Sequence, residues 1–340
     1  MGHSSPARAG KTPAVVTFTA NPSIDRTIVL GQALERGEVQ RARGVFEQAA
    51  GKGVNVAQVL FNAGIDVAVV TAAIDAPYRA LSDRAQTPLA VVGVPLSGAQ
   101  RVRVNTTITE PDGTTTKINE AGPELTSAQV ALAAEALTDV ARGAAWVALS
   151  GSLPPGAPED WYATLAIAVR RGGTKVAIDT SGVALDAVLA ALPSAAFDLI
   201  KPNSEELAQL TGGDAAAFER AAADGDLTAI VEAAATLRDR GIANVLVTLG
   251  GSGAVLVNAE GAWYGTAPRI DVASTVGAGD SSVAGFLLAE VSGDPAPTCL
   301  AAAIAYGTAA ASLPGTTLPT RADLPADPVV TTPIPVSRRA

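Results

Sequence analysis

From residue 121 onward, segments of helical period alternate with short apolar, β-rich runs, and few folds accommodate that alternation. TSAQVALAAEALTDVA reads as a helix, AAWVALSGSLPPG as a buried strand entering a Gly-Pro loop, and WYATLAIAVRRGG as a helix again. TKVAIDTSG gives the next strand, FDLIKPNSEELAQLTGG a strand turning into a helix, and TAIVEAAATLRDRG a further helix. ANVLVTLGGSGAVLVNAEGAWYG closes the series with antiparallel strands. Upstream, AVVTFTA, IDVAVVTAA and PLAVVGV add three more strands, the first ending at the turn residues Asn21 and Pro22. The pattern predicts an α/β fold: a doubly wound, mostly parallel sheet flanked by helices. SGSLPPG, DTSG, KPNSEE, TLGGSG and VGAGD all follow strands, so they gather at the carboxyl edge where open parallel sheets bind ligands.

At that edge the stretch VGAGDSSVAGFLLAE is the most pointed. Gly277, Ala278 and Gly279 precede Asp280, and Val283, Phe286, Leu287 and Val291 then recur at helical spacing. A helix N-terminus presents unpaired N–H groups and the positive end of the macrodipole, and glycines let an anion approach that backbone. A carboxylate there repels a phosphate, unless it takes a proton from an attacking hydroxyl while the N–H groups stabilise the transferring charge. A Gly-rich turn with an Asp in the first helical turn is the plainer alternative. AAGKGVNVAQVLFNAG repeats the design, with Gly51, Lys52 and Gly53 ahead of a helix that ends at Gly64. Lys52 can meet a substrate phosphate or lie solvated in a turn. The glycine spacing is not that of a Walker A loop, and no G-x-G-x-x-G follows a strand. Asp25, just past the first strand, is either a ligand group or a turn cap. Asn203 and Glu206 in KPNSEE form a capping-box pattern that is equally compatible with a role at metal-bound phosphates.

Composition narrows the chemistry. The chain has 340 residues, 48% hydrophobic and 17% charged, with a net charge of −9 that disfavours a nucleic-acid surface. No apolar run is long enough for a membrane span, and MGHSSPARAGKTP lacks the apolar centre of a secretory signal, so a cytoplasmic location is expected. Cys299 is the one cysteine and His3 the one histidine, which excludes a disulfide, a Ser-His-Asp triad and a His-ligated zinc. A general base must then be a carboxylate, Lys, Tyr or the cysteine.

RVRVNTTITEPDGTTTKIN gives two alternating runs around Pro111, Asp112 and Gly113, a hairpin signal. With residues 26–47 it forms a small β outgrowth able to act as a lid. Arg101 and Arg103 alternate onto one face of its first strand, where either can reach a ligand or lie at an exposed edge. The expected organisation is an N-terminal tail over 1–13, a core of 14–25, 48–98 and 120–325, a β lid of 26–47 and 99–119, and a C-terminal tail over 326–340.

In order and spacing, ANPSIDRTI, RGEV, AAGKGVNVA, RVN, INEAG, SGSLPPG, DTSG, KPNSEEL, VTLGGSGA and STVGAGDSS resemble the ribokinase-like carbohydrate kinases of the phosphofructokinase-B group. Within the group the chain is most similar to members acting on fructose 1-phosphate; kinases of tagatose 6-phosphate and fructose 6-phosphate share nearly every motif. The resemblance implies a central sheet with a β lid that mediates homodimerisation, ATP as phosphoryl donor, and Mg²⁺. It implies Asp280 as the base activating a sugar hydroxyl and Gly277, Ala278 and Gly279 as the anion hole. Asp25 and Asn55 would hold sugar hydroxyls, and Gly51, Lys52 and Arg103 would meet the phosphate already on the substrate. Lys201, Asn203 and Glu206 would organise the ATP phosphates, Glu206 acting on Mg²⁺ indirectly through them, while Thr248, Gly250 and Gly253 border the nucleotide. A catalytically silent sugar-phosphate or nucleotide sensor is the alternative from another class; it would have no use for Asp280. The segment TAAIDAPYRALSD departs from the Gly-rich stretch common in the group.

Overall fold

The computed structural model describes residues 12–266 and 269–335. Most of the expected N-terminal tail lies outside them. In chain order the strands are β1 (Val15–Thr19), β2 (Ser23–Leu30), β3 (Ala42–Ala50), β4 (Val67–Ile74), β5 (Ala90–Pro95), β6 (Arg103–Thr109) and β7 (Thr115–Asn119). They continue as β8 (Trp146–Ser150), β9 (Lys175–Asp179), β10 (Leu199–Ile200), β11 (Asn244–Thr248), β12 (Ala254–Asn258), β13 (Ala262–Thr266) and β14 (Val330–Ile334). The helices are α1 (Lys52–Asn62), α2 (Ala76–Arg84), α3 (Ser127–Val140), α4 (Trp161–Arg170) and α5 (Val183–Ala190). After them come α6 (Ser204–Thr211), α7 (Ala215–Ala223), α8 (Thr228–Asp239), α9 (Ala278–Ser292) and α10 (Ala296–Ser312).

Ten strands form one sheet in the order β14-β13-β12-β11-β10-β9-β8-β1-β4-β5. From β11 to β5 every pairing is parallel, and β11 to β14 pair antiparallel. Alternate residues of each strand face opposite layers. Val15, Trp146, Ala148, Ala177, Leu199 and Leu246 pack under α1, α9 and α10, whereas Val16, Phe18, Leu149 and Ile178 pack with Leu137, Tyr162 and Leu165 on the other side. Each such large side chain contributes about 1.5–3 kcal/mol by leaving water. Helix α9 is buried nearly all round, from Asp280 to Leu287 and at Ala289, because it lies between α1 and α10.

The sheet order reverses at β1, whose neighbours are β8 on one side and β4 on the other. That reversal opens a crevice at the carboxyl end of β1, and the registers place one row of polar residues there. Thr71 of β4 lies beside Thr19 of β1, Thr19 beside Ser150 of β8, and Ser150 beside Asp179 of β9. Thr19 also fixes α1: its Oγ1 accepts a hydrogen bond from the Val54 N–H at 3.1 Å. A Cβ at Gly53 would lie 2.6 Å from that oxygen, and one at Gly51 would lie 2.5 Å from Thr19 Cγ2. The two glycines around Lys52 are thus required by the close approach of helix to strand.

The second sheet has the order β3-β2-β6-β7, with β2 and β6 parallel and the hairpin β6–β7 antiparallel. It differs from the sequence expectation at its roots. The chain leaves β1 through Asn21 and Pro22 and enters β2 already at Ser23, so Asp25 is a residue of the small sheet, paired with Asn105. Arg101 precedes β6, so it is not a strand residue alternating with Arg103. Within the expected tail over 326–340, Val330–Ile334 instead form β14, which adds to β13 as an edge strand with Pro333 opposite Trp263, while residues 336–340 lie outside the described residues. An edge position tolerates a proline that has no N–H to donate. Residues 71–83 complete β4 and begin α2, whose N-cap Asp75 accepts from the Tyr78 N–H.

Candidate active site

Helix α9 starts at Gly277, whose φ of 76° is left-handed, and no side chain caps the helix. The Ala278 N–H donates to the Thr275 carbonyl at 3.4 Å and the Ser281 N–H to the Gly277 carbonyl at 2.8 Å, while the N–H groups of Gly279 and Asp280 have no helical acceptor four residues back. Asp280, in that turn, is 6% exposed, and its Oδ2 accepts a hydrogen bond of 2.8 Å from Asn55 Nδ2 on α1. Burial pushes the Asp280 carboxyl up to about 6; Lys52 opposes this, the charge of Asp179 adds to it, and the Asn55 hydrogen bond and Lys201 also oppose it. Such a carboxylate is ionised at neutral pH yet accepts a proton more readily than an ordinary one, which suits a general base.

Beside it lies a three-member ion cluster. Asp179, the last residue of β9 and 3% exposed, meets Lys52 Nζ through Oδ2 and Lys201 Nζ through Oδ1, each at 3.1 Å. Burial alone would raise Asp179, but the ammonium groups of Lys201 and Lys52 outweigh it and hold the carboxyl below the usual range. Lys52 is raised above its ordinary value, chiefly by Asp179, against burial and with help from Asp280 and Glu206. Lys201 also touches α9: a Cβ at Gly279 would lie 3.3 Å from its Nζ. Gly277, Gly279, Asp280, Asn55, Lys52, Asp179 and Lys201 thus form one connected set. Sequence reasoning gave Asp179 no role. The available signal was its place as the one charge ending the apolar run VAID before the turn of DTSG.

A second set lies at the root of the small sheet. Asp25 Oδ1 accepts from Ser23 Oγ at 2.8 Å and from Asn105 Nδ2 at 3.2 Å, and burial raises its pKa against those bonds and the charge of Arg103. Arg103 donates to the carbonyls of Asn21 at 2.9 Å and Glu120 at 3.3 Å, and burial lowers its pKa. Arg101 instead forms a bidentate pair with Glu120 at 2.7 and 2.9 Å on the surface, the edge-arginine alternative. Gln100, Arg101, Arg103, Glu120, Gly122 and Glu124 line a groove of about 760 Å³. Lys52 and Arg103, expected at one phosphate, share no partner among these contacts: Lys52 is tied to Asp179 and Arg103 to Asn21 and Glu120.

A third set follows β10 and β11. Asn203 caps α6 by accepting from the Glu206 N–H at 2.8 Å, while Glu206 Oε2 accepts from the Asn203 N–H at 3.0 Å. Both capping-box bonds are present, and the charge of Glu206 is still felt at Lys52. Asn203 pairs with Thr248 across the strand ends, and Gly250 and Gly253 shape the β11–β12 turn. A Cβ on Gly253 would lie 2.1 Å from the Gly265 carbonyl oxygen, so no larger residue fits. Among the described residues no three His, Cys, Asp or Glu side chains are grouped to hold a metal ion. A hard cation such as Mg²⁺ takes oxygen ligands, and Glu206 Oε1, the oxygen outside the capping bond, is a ligand atom this set offers.

A buried carboxylate at a helix N-terminus, with two lysines nearby at the switch point of a parallel sheet, is an arrangement suited to phosphoryl transfer to a hydroxyl. The sequence matches the pfkB family carbohydrate kinase pattern over residues 19–323, and the chain belongs to that family. It is 38% identical over 302 residues to 1-phosphofructokinase of Rhodobacter capsulatus, covering 87% of this chain and 90% of that protein. To 1-phosphofructokinase of Escherichia coli K12 it is 35% identical over 284 residues, covering 80% and 83%. Among solved structures, Escherichia coli phosphofructokinase-2 in complex with substrates and products superposes with a TM-score of 0.80 at 27% identity, over 91% of this chain and 96% of that one. Arabidopsis thaliana ribokinase complexed with ribose and ATP shares the fold, with a TM-score of 0.67 at 22% identity over 93% and 96%.

Proposed function

We propose that the chain transfers the γ-phosphoryl group of ATP to D-fructose 1-phosphate, giving D-fructose 1,6-bisphosphate and ADP. The observation that carries this reading is Asp280: a buried carboxylate, raised to about 6, at the uncapped N-terminus of α9. Asp280 takes the proton of the 6-hydroxyl as that oxygen attacks the γ-phosphorus, and the N–H groups following Gly277 receive the transferring oxygens. Asn55 orients the base, and with Asp25 it holds sugar hydroxyls. Lys52 and Lys201, on the two sides of Asp179, are assigned to the transferring group, which leaves Arg103 for the phosphate already on the sugar. Thr248, Gly250 and Gly253 border the nucleotide, and Asn203 and Glu206 face its phosphates. Mg²⁺, when bound, supplies charge neutralisation on those phosphates.

The named 1-phosphofructokinase relatives support the 1-phosphate substrate. Phosphofructokinase-2 among the similar structures, one of them in complex with fructose 6-phosphate, favours a 6-phosphate kinase as the second reading. The test is ADP release with Mg-ATP and equal concentrations of fructose 1-phosphate, fructose 6-phosphate, tagatose 6-phosphate and fructose. Preference for the first supports the assignment, and preference for a 6-phosphate replaces the substrate alone. Silence on all four with ATP bound favours a sensor.

The small sheet is proposed to act as a lid and as the contact of a homodimer. Ile28, Val45, Ile108 and Ile118 share one of its faces, and Val45 and Ile118 are 54% and 58% exposed. Val45→Glu should yield a monomer by sedimentation; an unchanged mass would place any contact elsewhere. Among the described residues no helix is long and apolar enough to cross a membrane, and a cytoplasmic location is proposed from the named metabolic relatives.

A further inference from the structure

The polar row at the sheet edge ends on a carboxylate for which the proposed chemistry has no direct use. Asp179 is given no contact with either substrate in the proposed reaction, yet it is 3% exposed and engages two lysines that reach it from different elements, α1 and the segment after β10. Replacing a buried ion cluster by apolar packing is often neutral for stability, so the fold alone does not call for it. Both ammonium groups also bear on α9, Lys201 by proximity and Lys52 by its charge. Lys201 lies against Gly279, and Lys52 acts on Asp280. Of the charged groups that face Asp280, Lys52 comes from α1, Lys201 from the end of β10 and Asp179 from β9. Glu206 of α6 reaches the cluster through Lys52, and Tyr162 of α4 through Asp179. Without Asp179, Asp280 would be the buried carboxylate left to both lysines.

We propose that Asp179 is a positioning residue for phosphoryl transfer: by engaging Lys52 through one oxygen and Lys201 through the other, it stations both ammonium groups beside the α9 N-terminus and keeps them off Asp280. The base stays free to accept a proton, and the two cations stay where the transferring phosphoryl group needs them. This rests on the reading of Asp280 as the base.

The test uses full-length wild type, Asp179→Asn and Asp179→Glu, with kcat and both KM values measured from pH 5 to 9, a Mg²⁺ titration and a thermal melt. For Asp179→Asn, kcat should fall about 10- to 100-fold, the range expected when charges near the reacting atoms are misplaced by an ångström. Each KM should change less than about threefold. The acidic limb of kcat should move down by about half a unit or more, because a negative neighbour is lost and the lysines turn to Asp280. Asp179→Glu should recover part of both kcat and the limb. A fall in kcat with the limb unmoved would reduce Asp179 to a structural role, and recovery of kcat at high Mg²⁺ would make it a metal residue instead; either overturns the proposal. If Asp179→Asn does not fold, Asp179→Glu decides: wild-type kcat in that variant refutes positioning, and lowered kcat with both KM values kept supports it. Wild type silent on every sugar phosphate would refute the kinase reading, whereas an active wild type with an unperturbed Asp179→Asn refutes this inference alone.

Discussion

Asn55→Ala removes one hydrogen bond and should move a pH profile upward. Asn55 donates to Asp280 Oδ2 at 2.8 Å and stabilises the ionised carboxylate; it is among the influences that keep that pKa from rising further. A hydrogen bond to a charged group contributes about 1.5–3 kcal/mol. At 1.36 kcal/mol per pKa unit, its loss should lift Asp280 by about one to two units. Starting from about 6, the acidic limb of kcat/KM should then fall near pH 7–8. At pH 7 the ionised fraction would drop from about nine-tenths to between about one-half and one-tenth, a two- to tenfold loss by the same conversion. Raising the pH to 9 should recover that loss, and any pH-independent remainder measures the contact of Asn55 with the sugar. The assay is initial-rate ADP release with fructose 1-phosphate between pH 5 and 9. A deficit of equal size at every pH, or a limb that stays at or below wild type, would refute the claim that Asn55 tunes the base.

Other outcomes test the rest of the site. Asp280→Asn should abolish measurable turnover while nucleotide binding by calorimetry persists. Because the folded pKa of Asp280 is raised, wild type loses stability as pH rises from about 4 to 6, so the melting-temperature advantage of this variant should grow across that window and then level. Arg103→Ala should raise KM for the sugar phosphate at least about tenfold more than KM for ATP, and Lys52→Ala should act mainly on kcat; the reverse pattern would exchange their roles. Glu206→Gln retains a capping side chain at the third helical position, so an unchanged melting temperature with a raised Mg²⁺ requirement is expected, and no change in either would confine Glu206 to capping.

The parallel body was legible because each strand-to-helix step changes period from two to 3.6, and the loops after those strands were placed at the correct edge by topology alone. The helix starts that carry Asp280, Lys52 and Asn203 were readable for the same reason: such starts announce themselves locally. The Lys52–Asp179 contact was not, since 127 residues separate the partners and only the order of β9 next to β8 and β1 brings them together. Helix α10 gave no periodic signal because an Ala-rich helix buried over much of its circumference has no polar stripe to set its phase. Strand β14 read as tail because Pro333 demotes a strand pattern, and an edge position is where that rule relaxes.

The small sheet joins the body at Pro22, between β1 and β2, and at Gly51, between β3 and α1, so a lid-like tilt would turn about that root. At about 3.3 Å per residue, Asp25 lies about 10 Å from that point and Leu30 about 26 Å. A tilt of about 10° would therefore sweep the far end through about 4–5 Å but displace Asp25 by under about 2 Å. Large excursions at the tip would become small adjustments at Asp25, and a force applied at the tip would be multiplied there. A partner docking on Val45 and Ile118 would thus have mechanical advantage over the hydroxyl contacts proposed for Asp25.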